Sequence, residues 1–586
     1  MRKRIHALVV VLSAVALSVP AGQVVAGAAS DRSSASSQPV AVAQGTGEFV
    51  VFYQDGADTG AARAAVASAG GTVVDEIAEL RIARVSTDDS RFSSRLAASG
   101  LVKGVIRNHS VGAEHAGAVH RFAEERALED RATYAASAAA EQPDGVPNGP
   151  KDKKAGPETF SWLQWNMDMI GATAAGAHQT ATGDGVLVGI IDTGIDGAHP
   201  DLAANFNATL SRNFTTDIPD IDGPCAEEPD QSCADPATVD EGGHGTHVAG
   251  IVAAAYNGLG VAGIAPDATL VNVRAGQDSG FFFFFETVAA ITYAARSGID
   301  VVNMSFYTDP WLYNCDSRDD IVSGTVTAAE LAQQAMIRQG ILNAVAFARG
   351  AGVTLVASAG NQHTDLAAPT RFDDTSPDYP LNTAKPLTVT KDCLDLPSEA
   401  PGVIQVSAIG PSTVKADYST WGLGAIDVAA PGGWFRDYFG TQDFREPENM
   451  ILSTYPVEVA REEGAVNKGG GLKDPHFYLR DCDGNDCAYY QYLQGTSMAS
   501  PHVTGVAALI TQAHGTPDGS GGFDLAPDAV YDILTGTATD TACPNPALLD
   551  YTQEGRPASW NATCTGTADV NSNYGEGIVD AEAAVS

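Results

Sequence analysis

From residue 160 onward, short uninterrupted runs of Val, Ile and Leu alternate with stretches in which apolar residues recur at helical spacing. The runs predict strands over 186–191, 269–273, 300–305, 353–358, 403–408 and 426–429. The helical spacing predicts helices over 248–256, 286–295, 341–349 and 503–513. Strands that are apolar throughout, rather than alternating, are covered on both faces. Lying between helices, they indicate an α/β architecture built on a doubly wound parallel sheet. The earlier part of the chain reads differently. Residues 48–54 are strand-like, 61–69 Ala-rich and helical, 72–85 strand-like, 91–98 helical and 101–107 strand-like, which suits a small α+β module. Residues 116–157 are rich in Ala, Glu, Pro, Gly and Lys without a hydrophobic period, and read as a linker.

Composition narrows the setting. The chain has 586 residues and a net charge of −38, which argues against a nucleic-acid partner. Met1-Arg2-Lys3-Arg4, an apolar run over 7–19 and Ala26-Gly27-Ala28 together read as a secretory signal peptide over 1–28. That run is too short to cross a bilayer, so a secreted, extracellular protein with no membrane segment in its mature form is expected. Eight cysteines in a secreted chain suggest disulfides. Sequence does not fix their connectivity. The close pairs Cys225/Cys233, Cys482/Cys487 and Cys543/Cys564 are expected, leaving Cys315 with Cys393. A zinc site is the rival reading, but no two cysteine pairs sit in ribbon-like register.

Three stretches carry chemistry. Gly495-Thr496-Ser497-Met498-Ala499-Ser500-Pro501-His502 opens an apolar helical run, placing Ser497 at a helix N-terminus that favours a developing anion. The apolar strand 186–191 ends in Asp192-Thr193-Gly194. Gly242-Gly243-His244-Gly245-Thr246-His247 sets a histidine between glycines at the start of a small-residue helix. In the order Asp, His, Ser, these motifs resemble those of the subtilisin-like serine proteases, the subtilases. Gly495-Thr496-Ser497-Met498-Ala499 lacks the second glycine of the G-x-S-x-G elbow, which disfavours an esterase.

The resemblance implies a serine endopeptidase. Ser497 would be the nucleophile, His244 the general base and then acid, and Asp192 the group that orients the imidazole. It implies Asn361, in Ser358-Ala359-Gly360-Asn361, as an oxyanion donor. It assigns the peptide-binding edges to Ser279, Gly280 and Phe281 and to Ser305 and Phe306, and the pocket floor to Ala357, Ser358, Ala359 and Gly360. His199, His247 and His502 would only pack. The module over 29–115 would be an inhibitory propeptide, with 116–157 a linker holding the processing region. The catalytic domain would cover 158–586, with insertions at 217–240, 308–339, 362–401 and 434–490 that hold six of the eight cysteines. The expected partners are extended polypeptide substrates and the chain's own propeptide, and the expected state is a monomer. No catalytic cofactor is implied. A structural calcium ion is, with Asp201, Asn257, Leu259 and Val261 as its ligands. Phe281 to Phe285 and Phe306-Tyr307 suggest apolar or aromatic residues at the cut site.

Overall fold

The computed structural model describes residues 40–41, 47–108, 125–127, 158–226, 231–484, 486–519 and 522–586. The expected signal peptide and most of the expected linker lie outside these residues.

The N-terminal module is a five-stranded sheet of β1 (Val40–Ala41), β2 (Gly47–Tyr53), β3 (Thr72–Ile77), β4 (Ile82–Thr87) and β5 (Val102–Arg107), in the order β1-β5-β2-β4-β3. Two helices, α1 (Thr59–Ala69) and α2 (Phe92–Ala97), complete it. Alternation along β2 sorts its side chains between two cores. Phe49, Val51 and Tyr53 pack with Ala62, Val66, Phe92 and Leu96 of the module's own helices. Val50 and Phe52 face the other way, into a core shared with the main domain. The single strand expected over 72–85 is instead a hairpin, broken where Arg81 takes φ 58°, in the left-handed region.

The main domain is built on seven parallel strands: β6 (Leu187–Ile191), β7 (Arg212–Asn213), β8 (Thr269–Arg274), β9 (Val301–Met304), β10 (Thr354–Ser358), β11 (Val403–Ile409) and β12 (Val428–Pro431). Their order is β12-β11-β10-β9-β6-β8-β7. The winding reverses at β6, so the carboxyl end of β6 is the switch point where such sheets place their sites. Helices α3 (His244–Ala253), α4 (Phe284–Arg296), α5 (Ala328–Gly350) and α6 (Thr496–His514) flank the sheet. Helix α6 is buried on all sides from Thr496 to Thr511, as a helix hydrophobic all round must be.

Three helices start ahead of their periodic ranges. Helix α5 begins thirteen residues early, at a capping box made by Thr327 and Glu330, in a stretch assigned to an insertion. Helices α3 and α6 begin at the motif residues, as the motifs themselves predicted, and so ahead of the periodic ranges 248–256 and 503–513. Pro501 therefore lies inside α6 rather than in its first turn. Its missing N–H would leave the Ser497 carbonyl unpaired. The Ser305 hydroxyl takes that place, donating to the Ser497 carbonyl at 3.0 Å.

All four disulfides pair as expected: Cys225–Cys233, Cys315–Cys393, Cys482–Cys487 and Cys543–Cys564. The run of five phenylalanines is wholly buried and divides by face. Phe281 and Phe283 pack with Tyr379, Phe282 stacks on Phe306 at 4.0 Å, and Phe284 stacks on Phe52 of the module at 5.6 Å.

Candidate active site

Strand β6 delivers Asp192 to the switch point, where it is fully buried. The N-terminus of α3 delivers His244 beside it. A Cβ on Gly245 would come within 2.1 Å of the Gly194 carbonyl, so a glycine after the histidine is what allows this helix to abut the strand end. Gly243 opens the helix at φ 83°. Asp240 fixes the entry. Its carboxylate accepts from the N–H groups of Gly242, Gly243 and Thr246 and from the hydroxyls of Thr193 and Thr246, at 2.6–3.1 Å. Asp240 escaped the sequence reading because it precedes the motif and touches no reacting group. His244 Nδ1 lies 2.7 Å from Asp192 Oδ1.

Ser497 and Asn361 meet this pair around a third carboxylate. Ser497 Oγ donates to Oε1 of Glu125 at 2.6 Å, and Asn361 Nδ2 donates to the same oxygen at 3.0 Å. His244 Nε2 stands 3.1 Å from Glu125 Oε2. Asn361 is itself held by α6, its Oδ1 accepting from the Thr496 N–H and hydroxyl at 2.9 Å. Glu125 Oε1 thus occupies the place where Asn361 would receive the oxyanion of an attacked carbonyl. The Glu125 carbonyl accepts from Gln494 N–H at 2.9 Å. Next along the chain, Arg126 is buried, donating to the Tyr455 hydroxyl at 3.0 Å and pairing with Glu463. Residues 125–127, read as linker from sequence, are therefore seated in the site. Nothing in the local pattern marks them, because only the folded catalytic groups give them a role.

This arrangement sets the charge of His244. Burial works against the imidazolium, but Asp192 and Glu125 on either side outweigh it and push the pKa up to about 10. The histidine is protonated at neutral pH, and the Ser497 proton is committed to Glu125. In this state His244 does not accept the Ser497 proton.

The other expected site residues divide. Gly280, Phe281, Ser305, Phe306, Ser358 and Gly360 line one cavity of about 420 Å³ beside Ser497 and Asn361. Ala357 and Ala359 do not. Alternation turns them into the core, where both are fully buried. Ser279 does not serve as a free edge either, because its N–H and hydroxyl both donate to Asp222, at 3.0 and 2.7 Å. The sequence reading missed further cavity residues, Asp378, Leu381 and Asp395, all from the 362–401 insertion. His199, His247 and His502 make packing contacts to backbone or amide groups, and burial pushes their pKa values down to about 4, 3 and 4.

The expected calcium ligands come together but do not fit a cation. Asp201 accepts from Asn257 Nδ2 at 2.9 Å, Val261 N–H at 3.3 Å and the Tyr490 hydroxyl at 2.7 Å. The Asn257 amide oxygen is taken by Leu259 N–H at 2.8 Å. The loop's N–H groups at 257, 258 and 259 turn toward Glu158. Donors point inward where calcium needs oxygen acceptors.

A subtilase family profile matches residues 183–577. Thermitase of Thermoactinomyces vulgaris is 28% identical over 382 residues, covering 65% of this chain and 92% of that protein. Fervidolysin of Fervidobacterium pennivorans is 27% identical over 369 residues, 61% of this chain but only 38% of its own length. The structure of the epidermin leader peptide processing serine protease of Staphylococcus aureus has a TM-score of 0.57 at 19% identity, covering 92% of this chain and 98% of that one. The fervidolysin structure has a TM-score of 0.52 at 22% identity, covering 92% of this chain and 61% of that one. These two likenesses are of fold. With the family profile spanning more than half of its length, the chain belongs to the subtilase family of serine proteases.

Proposed function

We propose that this chain is a secreted serine endopeptidase made as a self-inhibited precursor. The observation that supports it is the convergence of Ser497, Asn361 and the Asp192-bound His244 on one carboxylate of the chain's own N-terminal region. In the active enzyme Glu125 leaves. Ser497 then attacks the scissile carbonyl, and its proton passes to His244 Nε2. Asp192 stabilises the resulting imidazolium, and Asn361 donates to the oxyanion. His244 returns the proton to the leaving amine, and water hydrolyses the acyl-enzyme by the same steps. No cofactor takes part in these steps. Secretion rests on the N-terminal charge and apolar run, and among the described residues no helix is long and apolar enough to cross a membrane.

Among the described residues, the inhibitory region meets the main domain at the docked module, where Arg84 also pairs with Glu286 and Glu79 with Arg296, and at residues 125–127. The module docks through Phe52 on Phe284 and through Asn108, which accepts from Phe285 N–H and donates to Glu286 at 2.9 Å. Glu125 and Arg126 then enter the catalytic centre. Phe281, Phe282 and Phe306 in the cavity wall support apolar contacts with the substrate. Asp378 and Asp395 in the same cavity argue against an apolar side chain at the cut site itself, so the apolar preference is kept for upstream residues. Ser497→Ala should abolish cleavage of casein and leave an unprocessed precursor, since the triad acts as a unit and its loss costs several orders of magnitude. Self-maturation of that variant would overturn the assignment. A protein that binds peptides without cutting them would fail to react with a serine-directed fluorophosphonate after removal of the N-terminal region.

A further inference from the structure

The cavity beside Ser497 ends in a carboxylate with nothing to bind. Asp395 is 4% exposed and lines the cavity. Its Oδ2 lies 3.5 Å from where a Cβ on Gly360 would stand, which puts it against the end of the floor strand. Its backbone N–H donates to Glu399 Oε2 at 2.8 Å and its carbonyl accepts from Glu399 N–H, yet among the described residues no group donates to its carboxylate. Arg371, the cation nearby, favours the Asp395 charge from a distance but donates no hydrogen bond to it. It makes a two-pronged pair with Glu399 at 2.5 and 2.7 Å and donates to the carbonyls of Leu366 and Cys393.

The position is held firmly. Cys393, two residues earlier, is tied to Cys315. Asn314 and Leu394 exchange backbone hydrogen bonds, and Thr308 N–H donates to the Leu396 carbonyl at 2.7 Å. Two other carboxylates line the same cavity, Glu125 and Asp378, and Asp378 accepts from the Tyr307 hydroxyl at 2.8 Å. No Lys, Arg or His is among the lining residues. A buried carboxylate left without donors is costly unless a cation or a proton meets it. Burial, with Glu399 beside it, holds the Asp395 carboxyl well above the usual range, so the empty pocket favours the proton.

We propose that this cavity receives the side chain of the residue before the cut and selects a basic one, with Asp395 as the group that pairs with an arginine guanidinium or a lysine ammonium. The inference rests on the protease reading of Ser497. Ser358 and Gly360 line the cavity together with Phe306 and Tyr307, and the alkyl stem of Arg or Lys would lie along the aromatic side chains. The insertion at 362–401 thereby converts an aromatic-walled pocket into an acid-ended one.

The test uses the processed enzyme and peptides that carry Arg, Lys, citrulline, Phe or Leu before a reporter group. Arg should exceed citrulline, its neutral isostere, by at least about 50-fold in kcat/KM, because a site built around a polar group rejects analogues that leave it unpaired. Asp395→Asn should remove most of that margin, read as the ratio of Arg to citrulline rates within the one variant. Equal rates for Arg and citrulline, or faster cleavage of Phe with labelling intact, would overturn the pocket assignment. That comparison stands even if Asp395→Asn fails to fold. No labelling and no cleavage of any peptide would instead bring down the protease reading, and the inference with it.

Discussion

At the scale of single residues, the proposed catalytic set depends on donors aimed at one oxygen. Asn361→Leu removes the donor now bound to Glu125 Oε1. It should lower kcat by about 10²–10³ with little change in KM, as expected for an interaction that forms fully only in the transition state. Steady-state kinetics on the processed enzyme would show the split. The Glu125 contact has a pH signature. The His244 pKa is raised from 6.5 to about 10, so the stabilisation is complete below 6.5 and is lost as pH rises through about 10. Facing the imidazole are Asp192 and Glu125, with Asp240 and His247 behind. In a Ser497→Ala precursor, Glu125→Gln should therefore lower the melting temperature at neutral pH and change it little near pH 10. A difference that stays constant with pH would show that the contact is not ionic. With Ser497 intact, Glu125→Ala should speed maturation by about tenfold or more, since each charge-assisted hydrogen bond lost contributes about 1.5–3 kcal/mol. The two kinds of residue differed in legibility. Asp192, His244, Ser497 and Asn361 were readable because their neighbours are constrained by tight packing, as the Gly245 contact shows. Glu125 and Asp395 were not, because each is ordinary in its own segment and meaningful only across the fold.

At the scale of elements, the apolar runs located all seven parallel strands except β7, a two-residue edge strand too short to carry a pattern. The periodic ranges began late for α3 and α6 because these helices start in motif residues that are small or polar, and there the motifs, not the period, gave the starts. One of these late starts has an energetic consequence. With Pro501 one turn inside α6, Ser305→Ala would leave the buried Ser497 carbonyl without its donor. That should cost about 1–3 kcal/mol, read by denaturant unfolding, with a larger effect on kcat than on KM because Ser497 is the residue displaced. The 257–261 loop gives the opposite lesson. Its spacing suggested a calcium site, yet spacing does not say whether N–H or C=O groups face inward, and Tyr490 arrives from a strand more than two hundred residues away. Melting in chelator and in added calcium should coincide, whereas Tyr490→Phe, by stripping a donor from buried Asp201, should lower the melting temperature in both. A rise in melting temperature with calcium would restore the cation site.

At the scale of the whole molecule, the N-terminal module and the main domain share a core through Phe52 and Phe284. Phe52→Ala should weaken inhibition by the cleaved module about 30-fold, since truncating a buried aromatic anchor costs about 2 kcal/mol or more. Inhibition titrations of the matured enzyme would measure it. The seat of Glu125 in the catalytic centre has a further consequence. While the chain is intact, the carboxylate belongs to the same molecule as the serine it covers, so its local concentration is set by the length of chain and not by how much protein is present. Dilution cannot loosen it. A cut anywhere between Glu125 and the main domain turns that fixed concentration into an ordinary binding equilibrium, and the same carboxylate then falls away as the sample is thinned. Diluting a sample would therefore leave the uncut chain as it is and uncover Ser497 in the cut one.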